Sequence, residues 1–199
     1  MVDNKKTPES LEPKEDLLKS VALDEDTQME IMEKYDPESR FRKYKGTMAV
    51  IVTAVAVAMS AFHFYTAGFG LLTAMKQRGI HLAFLMVLTF LLYPGSKKGP
   101  AKNRLTVMDI IWMILGVASS LYIVFFFDAF SIRGTALPRD IYFGILLVIV
   151  LLEAARRTVG KELPILSLVF LAYGFFGHLM PGILGHTGFT YRRIFYHLY

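Results

Sequence analysis

The sequence holds no cysteine and five histidines. Thiolate metal sites and disulfides are therefore excluded, and a metal or haem would have to be held by imidazole. His63 and His81 are the pair to consider. Both are expected near the outer interface, so they can approach across two neighbouring helices as a haem- or quinone-linked redox subunit would require. His178 falls near the same boundary. No histidine spacing matches a zinc signature, and there is no phosphate-binding loop, dinucleotide fingerprint, nucleophile elbow or HExxH motif. No catalytic residue, metal ligand or resident cofactor is expected, and the sequence does not read as an enzyme.

A second group is charged. Asp128, Arg133, Arg139 and Asp140 crowd the connection between two apolar segments. They read either as the solvated ends of two helices or as a docking surface for a protein outside the cell. A third group, Glu153, Arg156, Arg157, Lys161 and Glu162, interrupts an otherwise uncharged stretch. Glu153 can pair with both arginines at i+3 and i+4 on a helix. Lys97, Lys98, Lys102 and Arg104 share a short Pro- and Gly-rich connection, which suits anionic lipid better than nucleic acid.

The elements that position these residues follow from where charge is avoided. Residues 46–75, 79–96, 110–127, 141–152 and 163–191 contain no Asp, Glu, Lys or Arg. A helix needs about 20 largely apolar residues to cross the ~30 Å hydrocarbon core. A charge at its centre costs about 2.5–3.5 kcal/mol on the insertion scale. The expected fold is all-α: a polytopic helical membrane protein of about five transmembrane helices with a polar N-terminal tail. The helices are expected near 47–65, 79–93, 105–127, 138–157 and 163–179. The fourth has the shortest uncharged run and spans only if its charged ends lie in the headgroup layers.

Three regions result. Residues 1–45 form an acidic cytoplasmic tail with a basic juxtamembrane segment. Residues 46–157 form a four-helix membrane domain. Residues 158–199 hold a cytoplasmic turn, a fifth helix and an interfacial amphipathic segment. Residues 1–39 carry 12 of the 17 acids, so a tail of net −7 precedes a membrane domain of net +12. The tail is too polar for a core of its own, with a weak helical pattern over 14–34. No cleavable signal peptide is visible. Arg40, Arg42, Lys43 and Lys45 are expected at the lipid headgroups. Ala54, Ala58 and Ala61 share one face of the first helix, and Gly116 and Ser120 form a small pair on the third. Small residues let helices approach closely in lipid.

Alternate connections hold 12 and 6 Lys and Arg near the span ends, the larger count on the side of the N-terminus. The positive-inside rule then puts the N-terminus in the cytoplasm. Five spans would leave Tyr199 outside.

The strings YDPESRFRKYKG, FLLYP, SLYIVFFFD, LLEAARRTVG, LPILSLVFLAYGFFG, MPGILGHTGF and the closing HLY occur in that order over residues 35–199. Together they resemble the amino-terminal part of the fused TRAP transporter permeases of the TAXI type. The resemblance implies a tripartite secondary transporter, typically sodium-driven. Such a transporter imports small organic solutes delivered by an extracytoplasmic binding protein. Helices one to four would match the small membrane subunit, and helix five the start of the large elevator subunit. In that family the substrate and sodium sites lie beyond the matching region, so no binding residue carries over. The chain is expected to be a partial or split permease, a scaffold that does not transport alone. Its expected partners are the large subunit, a TAXI-type binding protein and the lipid bilayer, with no nucleic acid.

Overall fold

A computed structural model describes residues 41–70, 72–95 and 104–198. The tail pattern over 14–34, Arg40 and most of the basic loop at 96–103 lie outside the described residues. The described fold is all-helical. It comprises α1 (Thr47–Phe69), α2 (Ala74–Leu92), α3 (Val107–Arg133), α4 (Pro138–Thr158), α5 (Glu162–Phe176) and α6 (Tyr191–Leu198). Two short 3-10 turns, Gly177–Leu179 and Gly182–Leu184, separate α5 from α6.

Four helical segments are long and apolar enough to cross a membrane: α1, α2, α3 and Glu162–Leu179. The fourth helix is the exception. Its 21 residues give about 31 Å at ~1.5 Å per residue, enough for a bilayer. Arg139, Asp140, Glu153, Arg156 and Arg157 leave it too charged to qualify on composition.

Helix ends depart from expectation where charge is neutralised locally. The third helix continues two turns past Phe127, because Asp128 is paired and Gly134 supplies the left-handed stop at φ 64°. Gly134 donates its N–H to Phe130 O at 3.2 Å, satisfying a last-turn carbonyl. The first helix runs through Gly68 and ends the same way at Gly70, φ 57°. Pro138 opens α4 at its first position, where no intrahelical N–H is needed.

Packing centres on α2, α3 and α4. Met86 and Phe90 of α2 meet Val150 and Ala154 of α4, with Trp112 and Met113 of α3 alongside. The expected small pair on α3 lies here. Ser120 is fully buried and donates its hydroxyl to Gly116 O at 2.7 Å. A Cβ on Gly116 would stand 3.0 Å from Met86 Cβ and 3.1 Å from Val150 Cγ1, so any larger residue would push these neighbours back by a few tenths of an ångström.

The small-residue face of α1 has a different environment from the one its spacing suggests. Ala54, Ala58 and Ala61 are all exposed, and Thr66 is the only buried residue of the helix. What joins α1 to α2 lies toward one end of α1 and is in part polar: Gln77 Nε2 donates to Thr66 Oγ1 at 3.3 Å, His63 meets His81, and the Phe62 and Phe84 rings lie 6.1 Å apart.

Candidate functional site

The polar side chains gather at the two ends of the bundle, and each end is organised around an aspartate. Asp109 is the third residue of α3 and Asp140 the third residue of α4. Each reaches back to the N–H just before its helix. Thr106 N donates to Asp109 Oδ2 at 2.9 Å, and Leu137 N to Asp140 Oδ2 at 2.8 Å. A carboxylate here satisfies an otherwise unpaired donor and lies at the positive end of the helix dipole.

At one end, Arg157 Nη1 donates to Asp109 Oδ1 and Arg42 Nη2 to Asp109 Oδ2, both at 2.5 Å. The side chains of Arg42, Asp109 and Arg157 are no more than 3% exposed. Glu153 completes the cluster, accepting from Arg157 Nε and Arg156 Nε at 2.7 Å each. Arg42, Asp109, Arg157 and Glu153 sum to zero charge, and the excess positive charge of the cluster sits on Arg156, whose side chain is 39% exposed; neutrality among the four less exposed groups is what lets them stay out of water. The i+3 and i+4 pairs read from the sequence are therefore present. Arg157, however, turns into the bundle rather than toward headgroups. Its guanidinium lies over the Phe90 ring, 4.9 Å from the centroid.

Arg42 is displaced from expectation in the same way. Its Nη1 donates to Phe90 O at 3.1 Å and Leu91 O at 3.0 Å, and its backbone N to Leu92 O at 2.8 Å. Tyr44 Oη donates to Leu91 O at 2.9 Å. The segment thus caps carbonyls at the end of α2 that no helical N–H can reach. Lys43 and Lys45 remain exposed, as a headgroup position requires.

The four charged residues expected as an outer docking surface fall into two separate groups. Asp128 accepts from Lys76 Nζ at 2.6 Å and ties α3 to α2. Asp140 is buried and accepts from Tyr122 Oη, and from Arg133 Nη2 at 2.6 Å. Arg139 lies 3.8 Å from Asp140 with its side chain half exposed, its guanidinium 5.1 Å above the Phe126 ring. Of the four, Asp128 and Arg139 present the most surface, and Asp140 presents almost none.

His63 and His81 do meet, as their positions suggested. His63 Nε2 and His81 Nδ1 are 2.6 Å apart, one donating and the other accepting. A metal between two imidazoles needs two bonds of ~2.0–2.1 Å, hence nitrogens about 3.3 Å apart at a tetrahedral ion and about 4 Å apart on either side of a haem iron. The rings as placed are bonded to each other. Among the described residues no group of three or more His, Asp or Glu side chains is placed to hold a metal ion.

The long-range pairs were hidden from sequence reasoning because periodicity reports only neighbours on one helix. Asp109 itself carried a signal, as a lone acid inside an apolar helix with a partner to be found. No protein-family model, curated protein or solved structure matches the chain.

Proposed function

We propose that this chain is the rigid membrane scaffold of a TAXI-type TRAP permease, in which a large elevator-type subunit moves against it. A soluble extracytoplasmic protein would deliver a small organic solute, and the import would be sodium-driven. In this reading α4 also crosses the bilayer, giving five spans, an N-terminus in the cytoplasm and a bacterial inner-membrane location. The proposal draws its family from the ordered strings over 35–199.

One structural observation supports the scaffold role above others. Asp109 joins Arg42, ahead of α1, to Arg157 at the end of α4, while Arg42 also caps α2. One carboxylate thereby fastens the inner ends of three helices. An element that must resist a sliding neighbour needs such cross-ties, since helix contacts in lipid gain little from the hydrophobic effect. Most of the buried polar groups in the two clusters are engaged with each other, Arg42 Nε being the exception. The exposed apolar faces of α1 and α5 suit contact with lipid or with a second membrane subunit.

Co-purification tests this directly. The tagged chain, in mild detergent, should retain an elevator-type permease subunit and bind a TAXI-type solute-binding protein in its presence. Reconstituted alone it should show no sodium-dependent uptake. Uptake by this chain alone, or failure to associate with either partner, would remove the proposal.

A further inference from the structure

A groove of about 820 Å³ runs between α4, α5 and α6. That volume lies within the ~300–1,000 Å³ of well-formed small-molecule pockets. Its walls are apolar: Leu151 and Leu152 from α4, Leu168 and Leu171 from α5, Phe189 and Ile194 at α6. Gly174 leaves the wall open where Ile194 comes down, since a Cβ there would meet Ile194 Cδ1 at 3.4 Å. Phe189 N donates to Gly174 O at 2.9 Å and Phe195 is buried, so the groove's far wall is fixed rather than hanging free.

Two polar side chains line it. Ser167 already donates its hydroxyl to Leu163 O at 2.9 Å. Arg193 is the only charged residue in the lining. Its guanidinium rests 5.2 Å above the Phe189 ring. No carboxylate lies within ion-pair distance of it among the described residues. None is to be had nearby in sequence, because residues 163–199 contain no Asp or Glu. Glu153, on the adjoining helix, is taken by Arg156 and Arg157. A cation at the edge of an apolar groove, held by an aromatic ring and lacking a protein counter-ion, calls for an anion with a hydrocarbon body.

We propose that this groove binds one anionic phospholipid, with an acyl chain along the leucine walls and the phosphate on Arg193. Guanidinium matches phosphate with two parallel N–H···O bonds. The long aliphatic stem of arginine lets the charge reach the headgroup layer while α6 stays packed. Tyr191, exposed two residues earlier, has the amphipathic ring that favours the same layer. The inference is independent of the transporter reading and can fail without it.

Native mass spectrometry of the full chain in a nonionic detergent tests it, using phosphatidylglycerol and phosphatidylcholine with identical acyl chains. Phosphatidylglycerol should be retained about tenfold over phosphatidylcholine, the discrimination expected of a charge-assisted pair. Arg193→Gln should bring the two to parity, while Arg192→Gln, outside the groove, should leave the preference intact. Leu171→Trp, filling the groove, should reduce retention of both lipids; Ser167→Leu narrows it at another point should the tryptophan impair folding. Glycerol 3-phosphate, a headgroup without chains, should not compete. Equal retention of the two lipids would overturn the proposal. So would loss of preference in both arginine variants alike, undiminished retention in the filled groove, or competition by glycerol 3-phosphate.

Discussion

Asp109 and Asp140 occupy the same position in consecutive helices and act at opposite ends of one hairpin. Each is the third residue of its helix, each accepts the N–H preceding that helix, and each binds an arginine from another segment. Because α3 and α4 run antiparallel, Asp109 meets the end of α4 through Arg157, and Asp140 meets α3 through Tyr122. The hairpin is therefore pinned at both ends by groups that are charged yet mutually neutralised. A helix too charged to look like a span on composition can rest beside apolar neighbours on these terms.

Asp109→Ala should destabilise the chain by about 3–5 kcal/mol, the range for breaking a buried ion pair and stranding its partners. Arg42 would lose its carboxylate partner and Arg157 would keep only Glu153. Replacing Arg42, Asp109 and Arg157 together with Met, Leu and Met should cost far less, since no charge is then left unpaired. Thermal unfolding in detergent gives both values. A loss under about 0.5 kcal/mol for the single change would mean that water already reaches the cluster.

Gly116→Ala should cost about 1–3 kcal/mol, because the new methyl group must displace Met86 or Val150. Gly68→Ala provides the contrast. It lies inside α1 with nothing within 4 Å of its Cβ position, so it should stabilise by up to about 1 kcal/mol through helix propensity. Equal effects at the two sites would show that the helices do not approach as closely at Gly116 as described.

The absence of cysteine makes topology directly measurable. Thr135→Cys lies between α3 and α4, and Lys161→Cys between α4 and α5, both at exposed positions. In intact cells a membrane-impermeant maleimide should label position 135 and spare 161 until the membrane is opened. Labelling of both, or of neither, would mean that α4 stays on one side.

Haem supplementation should give no Soret band. The two imidazoles are joined at 2.6 Å, and ligation would require breaking that bond and parting α1 from α2 where they hold together. A band that appears in the parent chain and is lost in both His63→Ala and His81→Ala would establish the redox reading instead.

Much of the fold was legible in the sequence, for a simple reason. Lipid penalises charge so strongly that the uncharged runs mark the helices, and Gly70 and Gly160 mark a stop and a turn. The pairing of Glu153 with Arg156 and Arg157 was legible too, since it is local to one helix. Arg42 and Arg157 were not placed correctly, because their partner is 67 and 48 residues away. Charge at a span end normally faces headgroups, and only a neutralising carboxylate from another helix reverses that. The exposure of Ala54, Ala58 and Ala61 was illegible in the same sense. A small-residue face states that close approach is permitted, and says nothing of whether a helix within the chain takes the place.

The claim that organises this account is rigidity: the tied helices should keep their spacing while a partner subunit moves. Spin labels on Ile132→Cys, near the C-terminal end of α3, and Lys161→Cys, just beyond the C-terminal end of α4, measure it by double electron–electron resonance in liposomes. The account predicts one distance distribution, unchanged by adding the elevator subunit, sodium and solute-loaded binding protein. A second population, or a shift of the main distance on adding them, would contradict it.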